Sequence, residues 1–197
     1  MALKKAKNND VIDDFIAGAD TKSESILNEP KRKHNRQKYL DSAIGTQITN
    51  ELIVTFKKRV KGVYSLNSFL KLCLLGELDY FSNADIVYIY NKSRQQNITM
   101  GEFVGLKLGI IDNVTPNLLP QNRVINKVVY VSSDEKAIIE KLARDLHLSV
   151  YKYSEIKFIA YDELDKVLST DDILRLNKEA NEFGLDLKGY ISIKIKG

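Results

Sequence analysis

Two stretches of this chain, 86 positions apart, place apolar residues at matching points. Leu52, Ile53, Phe56 and Val60 correspond to Ile138, Ile139, Leu142 and Leu146. Ser68, Leu70 and Leu72 correspond to Ser154, Ile156 and Phe158, and Glu77-Leu78-Asp79 to Glu163-Leu164-Asp165. One inserted residue later, Phe103, Val104, Leu106 and Leu108 meet Tyr190, Ile191, Ile193 and Ile195. Such a pattern predicts one supersecondary unit used twice, and it restricts the fold to arrangements that pair or stack two like units.

The expected fold is mainly α, with two repeats of a short strand plus four helices. In the first repeat, 39–111, the strand candidate is 42–48, interrupted by Gly45, which weakens strands. Thr46 or Thr49 would cap the helix that follows, about 50–61, with Gly62 as its C-cap. Ser65 opens a second helix to about 78, and a helix pair fills 82–111. Pro116, Pro120 and several Asn residues mark 112–123 as a linker. The second repeat, 124–197, is plainer. Asn126 to Val131 is β-branched and aromatic, and Ser132 with Glu135 forms a capping box directly after it. Helices are expected at about 133–147, 151–165, 170–182 and 186–195, with a terminal strand at Tyr190–Ile195 as the alternative.

Composition narrows the function. The 197 residues are 44% hydrophobic, enough for a core, and no apolar run is long enough to span a membrane. Met1 to Lys5 lacks the apolar stretch of a signal peptide, and the single Cys73 cannot form an internal disulfide, so a cytoplasmic location is expected. Net charge is +4, unevenly placed. Lys31, Arg32, Lys33, Arg36 and Lys38, with His34, lie in an arm, 1–38, rich in Lys, Asn, Asp and Ser. Lys57, Lys58, Arg59 and Lys61 form a second run, which reads equally well as a solvated helix face.

Enzymatic chemistry is not expected. Neither His34 nor His147 has a Cys or carboxylate at ligand spacing, so no metal is expected. Cys73 lies on an apolar helix face, where cysteine serves as packing. Asp134-Glu135 and Asp171-Asp172 open helices, where dipole compensation accounts for them. No Gly-rich phosphate loop or nucleophile elbow occurs, and no cofactor is expected. Tyr88, Tyr90, Tyr151 and Tyr153 invite a base-stacking role, but their helical spacing favours the core.

Four or five strand residues need a partner strand, and a two-stranded ribbon fits the DNA major groove. Gly62-Val63-Tyr64-Ser65-Leu66-Asn67-Ser68-Phe69-Leu70 and Leu148-Ser149-Val150-Tyr151-Lys152-Tyr153-Ser154-Glu155-Ile156 resemble the turn and second helix of the ribbon-helix-helix family, the MetJ/Arc superfamily of DNA-binding proteins. Gln96 to Val104 repeats the turn without a strand ahead of it. The resemblance covers about 42–78 and 124–166.

It implies ribbon-helix-helix units with additional helix pairs, double-stranded DNA as partner, and a role in plasmid partition, conjugation or transcriptional repression. Gln47, Asn126, Lys127 and Tyr130 would face bases, with Lys127 near the rim. Ser65, Asn67, Ser68, Lys152 and Ser154, with the arm residues Lys31, Arg32, Lys33, Arg36 and Lys38, would meet phosphates. The strands would pair within one chain or across a homodimer. The alternative is an all-helical adaptor that binds a protein partner through its arm.

Overall fold

Isoleucines alternate through the first strand of the computed structural model, which describes residues 41–116, 124–165 and 167–197. In β1 (Ser42–Thr49), Ile44, Thr46 and Ile48 are buried, while Ala43, Gly45, Gln47 and Thr49 take the other face. In β2 (Val124–Val131), Val129 and Val131 are buried and Asn126, Val128 and Tyr130 are exposed. Side-chain period two makes one face of each strand apolar, and the strands pair antiparallel along that shared face. Ser42 faces Val131, Gly45 faces Val128 and Thr49 faces Val124. The Thr46 hydroxyl donates to the Lys127 carbonyl at 2.7 Å, which satisfies a polar group that is fully buried.

Eight helices hold 62% of the described residues. They are α1 (Asn50–Arg59), α2 (Leu66–Leu75), α3 (Asn83–Gln96), α4 (Met100–Lys107), α5 (Ser133–Asp145), α6 (Val150–Glu163), α7 (Thr170–Glu182) and α8 (Leu187–Lys196). Each starts behind a side-chain oxygen that accepts a first-turn amide: Thr49, Ser65, Ser82, Thr99, Ser132, Ser149, Ser169 and Asp186. Ser82, Thr99, Ser132 and Ser169 close full capping boxes with Asp85, Glu102, Glu135 and Asp172.

One core cluster lies under the ribbon, where Ile44, Ile48, Val129 and Val131 meet Phe56, Leu70, Leu74, Ile139 and Phe158. A second cluster gathers Ile86, Ile89, Met100, Phe103, Leu176, Ile191 and Ile195. α6 belongs to both: Tyr153 and Phe158 enter the first, Ile156, Ala160 and Leu164 the second. A helix buried on two sides has no clean amphipathic stripe.

The expected two repeats of strand plus four helices are corrected here. The described residues hold only one strand pair, so there is a single ribbon rather than two ribbon-helix-helix units. Each strand is the other's sole ladder partner, because an isolated short strand leaves its backbone groups unpaired. The matched positions also differ in environment. Leu72 is 52% exposed, whereas Phe158 at the corresponding position is fully buried. Gly45 pairs with Val128, and Tyr190–Ile195 is helical. Gly62 is not the cap of α1, which ends on Val60; it turns the chain two residues later at φ +84°. The described residues include a strand pair, so the all-helical architecture of the alternative reading does not hold. No described helix is long and apolar enough to cross a membrane.

Candidate nucleic-acid interface

The ribbon's outer face consists of four cross-strand pairs: Ala43 with Tyr130, Gly45 with Val128, Gln47 with Asn126, and Thr49 with Val124. Tyr130 is 56% exposed and Val128 50%. Asn126 is exposed and Gln47 half-buried. The face carries no formal charge, but Gln47, Asn126 and Tyr130 give it donors and acceptors. Lys127 shares its face with Val129 and Val131 and lies opposite Thr46; its side chain is exposed, which places it at the rim and not on the base-facing side.

Both ribbon edges are tied to residues near the starts of helices. At the β2 edge the Tyr130 amide donates to Asn67 Oδ1 at 2.8 Å, and Asn67 Nδ2 donates to the Tyr130 carbonyl at 3.0 Å. Asn67 thus imitates a neighbouring strand and docks the start of α2 there. At the β1 edge the Gln47 amide donates to Ser154 Oγ at 3.1 Å, and that hydroxyl donates to the Tyr151 carbonyl at 2.7 Å. Paired edges cannot template strand addition. A helix start beside each edge leaves further first-turn amides without an intrahelical partner, the usual setting for an anion.

The expected phosphate ligands therefore divide. Ser65 caps α2 by accepting from the Ser68 amide, and the two hydroxyls lie 2.8 Å apart on an exposed turn. Asn67 is committed to Tyr130, and Ser154 is fully buried, so the amide and hydroxyl that were expected to meet phosphate instead hold the ribbon. The Lys152 ammonium sits 3.0 Å from Glu155 Oε2 and donates to the Tyr90 hydroxyl at 2.9 Å. Burial alone would lower its pKa, but the bonds to Tyr90 and Glu155 outweigh that and raise it, so its charge is already matched. Lys31, Arg32, Lys33, Arg36 and Lys38 lie outside the described residues.

The second basic run also divides. Arg59 reaches across to α6, donating to the Tyr161 carbonyl at 2.8 Å and pairing with Asp162 at 3.1 Å. Lys57, Lys58 and Lys61 are exposed and enter no ion pair among the described residues. They precede the α2 cap through the turn Gly62-Val63-Tyr64, whose Val63 and Tyr64 are also exposed.

The β1 edge differs. A cleft of about 550 Å³ opens there, lined in part by Gln47, Thr49, Glu51, Tyr90, Arg94, Glu155 and Glu163. Burial raises the Glu163 pKa against its bond from the Met100 amide and the nearby Arg94.

Of the four tyrosines, Tyr90 and Tyr153 are buried and Tyr88 is partly buried. Tyr151 is 47% exposed. Its hydroxyl lies above Gly45, where a Cβ would stand 2.6 Å from it, so its phenol reaches the ribbon's outer face. The Gly45 anomaly in an otherwise β-prone stretch was the sequence signal for an approaching side chain.

Among the described residues no group of three His, Cys, Asp or Glu side chains is placed to hold a metal ion. Burial pushes the Cys73 thiol up to about 12, well away from thiolate reactivity. No family model matches the chain, and no curated protein or solved structure matches it.

Proposed function

We propose that this chain binds double-stranded DNA by laying the β1–β2 ribbon in the major groove, in the manner of ribbon-helix-helix proteins. The observation that carries the reading is the ribbon itself. Its inner face is sealed by the core, both edges are tied to helices, and its outer face, covered over Gly45 by Tyr151, exposes Asn126 and Tyr130 with Gln47 half-buried beside them. A two-stranded ribbon fits the major groove, and neutral amides and hydroxyls suit base edges. Lys57 and Lys58 at the end of α1 and Lys61 in the turn that leads to α2 supply exposed cationic charge. Plasmid partition, conjugation and transcriptional repression are the processes that the resemblance suggests.

Titration of the full chain against a labelled random-sequence duplex pool at physiological salt tests the reading. A dissociation constant well below about 10⁻⁴ M, weakening steeply with added salt, supports it. Binding no tighter than about 10⁻⁴ M, or independent of salt, ends it.

One observation favours a second reading. Val124, Val128 and Tyr130 are exposed apolar groups along one face of β2, interrupted only by Asn126, and such a face suits a protein partner. Loss of binding to DNA with retained binding to another polypeptide on the same face would select that reading.

A further inference from the structure

The helices that follow the two strands start behind Thr49 and Ser132. Four residues before each cap stand Gly45 and Val128, and these two are ladder partners. A local two-fold axis of the ribbon backbone therefore passes between Gly45 and Val128. Side chains at equivalent places around that axis can be compared. Ala43 corresponds to Asn126, Gly45 to Val128, and Gln47 to Tyr130. The backbone is symmetric where the chemistry is not.

The β1 side presents a methyl group, a bare backbone and one amide, and that amide residue is half-buried at the mouth of the acidic cleft with Glu155 and Glu163. The β2 side presents an exposed amide, a branched aliphatic group and an exposed phenol. The gap over Gly45 is filled from outside the ribbon by Tyr151 of α6. The flanks differ in the same direction. Asn67 of α2 docks on the β2 edge, and the exposed turn carrying Lys61 leads into the α2 cap, whereas the β1 edge adjoins a cleft lined in part by Glu51, Arg94, Glu155, Asp162 and Glu163. On the β1 side Glu155, Asp162 and Glu163 are matched by Lys152, Arg59 and Arg94, whereas Lys61 enters no ion pair among the described residues and is left to meet a phosphate.

We infer that the ribbon of a single chain reads a DNA site without two-fold symmetry, with recognition concentrated on Asn126, Val128 and Tyr130 and backbone contact on the α2 flank. The inference rests on the DNA-binding reading above. A chain that pairs its strands internally is free to diverge at the two ends of its ribbon, whereas a ribbon made by two identical chains presents the same residues twice and matches a palindrome. Tyr151 of α6 fills the β1 side over Gly45, where the equivalent place on β2 carries Val128.

The test enriches duplexes from a random pool on the full chain, keeping only the complex with one chain per duplex. The expected motif has no dyad within the footprint of that chain. On it, Asn126→Ala with Tyr130→Ala lowers the preference over random duplex about tenfold or more, while Gln47→Ala changes it about twofold or less. Denaturation of each variant confirms that the substitutions leave the fold intact. A motif with a dyad inside the footprint, or a Gln47→Ala effect equal to that of Tyr130→Ala, overturns the inference and leaves DNA binding standing. Tight duplex binding with no enriched motif overturns it in the same way. No duplex binding overturns the DNA reading and the inference together.

Discussion

The phenol of Tyr151 occupies the space that a side chain on Gly45 would need: a Cβ built there would lie 2.6 Å from the Tyr151 hydroxyl and 3.0 Å from its ring. The glycine that weakens β1 as a strand is thus what admits an aromatic group from α6 to the ribbon's outer face. The two positions should be coupled. Gly45→Ala on its own gains strand propensity but displaces the ring. In a Tyr151→Ala background only the gain remains. The expected coupling is about 0.5–1 kcal/mol by urea denaturation of the four-member cycle. Equal effects of Gly45→Ala in both backgrounds would refute the contact.

Asn67 closes the β2 edge through two hydrogen bonds to the backbone of Tyr130. Asn67→Ala should lower stability by about 1–2 kcal/mol, the worth of two neutral hydrogen bonds at a half-buried site. Amide exchange gives a local readout. The Tyr130 amide should be protected in the parent and exchange much faster in the variant. Unchanged protection would mean that the edge is held by something else.

Lys157 gives the fold a pH dependence of definite sign. Its ammonium is buried, donating to the Gly76 carbonyl at 2.6 Å and Asn83 Oδ1 at 2.7 Å, and it enters no ion pair among the described residues. Burial lowers its pKa to about 8 from an ordinary 10.5. Between those values the unfolded chain binds more protons than the folded one, so stability rises with pH. Burial raises the Cys73 thiol from 9.0 to about 12, which acts in the opposite sense once the unfolded thiol ionises. The net expectation is a gain of about 1 kcal/mol between pH 7 and 9, flattening above that range. Lys157→Met should abolish the gain and leave the decline caused by Cys73. A parent protein whose urea midpoint is flat or falling over pH 7–9 would contradict the assignment.

The lysines differ in their contribution to a polyanion contact. Lys58→Gln with Lys61→Gln removes two exposed cations, and should reduce the slope of log K against log salt by about 2 in magnitude. Lys152→Gln removes a cation already matched by Glu155, and should leave the slope unchanged. Equal effects of the two variants would mean that the duplex does not lie against the α2 flank.

Local signals explain what could be read in the sequence. Ser132 with Glu135 marks the start of α5, and both groups are close enough in the chain to find each other in any fold. The run Val128-Val129-Tyr130-Val131 marks β2 by its residue types. Long-range partners were hidden. Asn67 resembles a helix-opening polar residue, and its role depends on Tyr130, 63 positions away. Ser154 resembles a phosphate ligand, yet it meets Gln47 across 107 positions in a buried site. Lysine is seldom buried, so nothing in its surroundings along the chain distinguishes Lys157 from a surface residue. Tyr151 follows the helical spacing that put Tyr153 in the core, but lies at the helix start, where the ribbon's glycine lets it emerge. The 86-position pattern correctly marked apolar residues, but it could not show that the two strands make one shared ribbon.

The central claim is that the outer face of the ribbon touches DNA, and photo-cross-linking tests it most directly. A benzophenone amino acid replaces Tyr130 in one variant and Phe183, an exposed residue of the α7–α8 turn, in another. Both full-length variants are irradiated with a labelled duplex under conditions where the parent chain binds. Cross-linking from position 130 and none above background from position 183 is the predicted result. Persistent duplex binding without a cross-link from position 130 would contradict the claim.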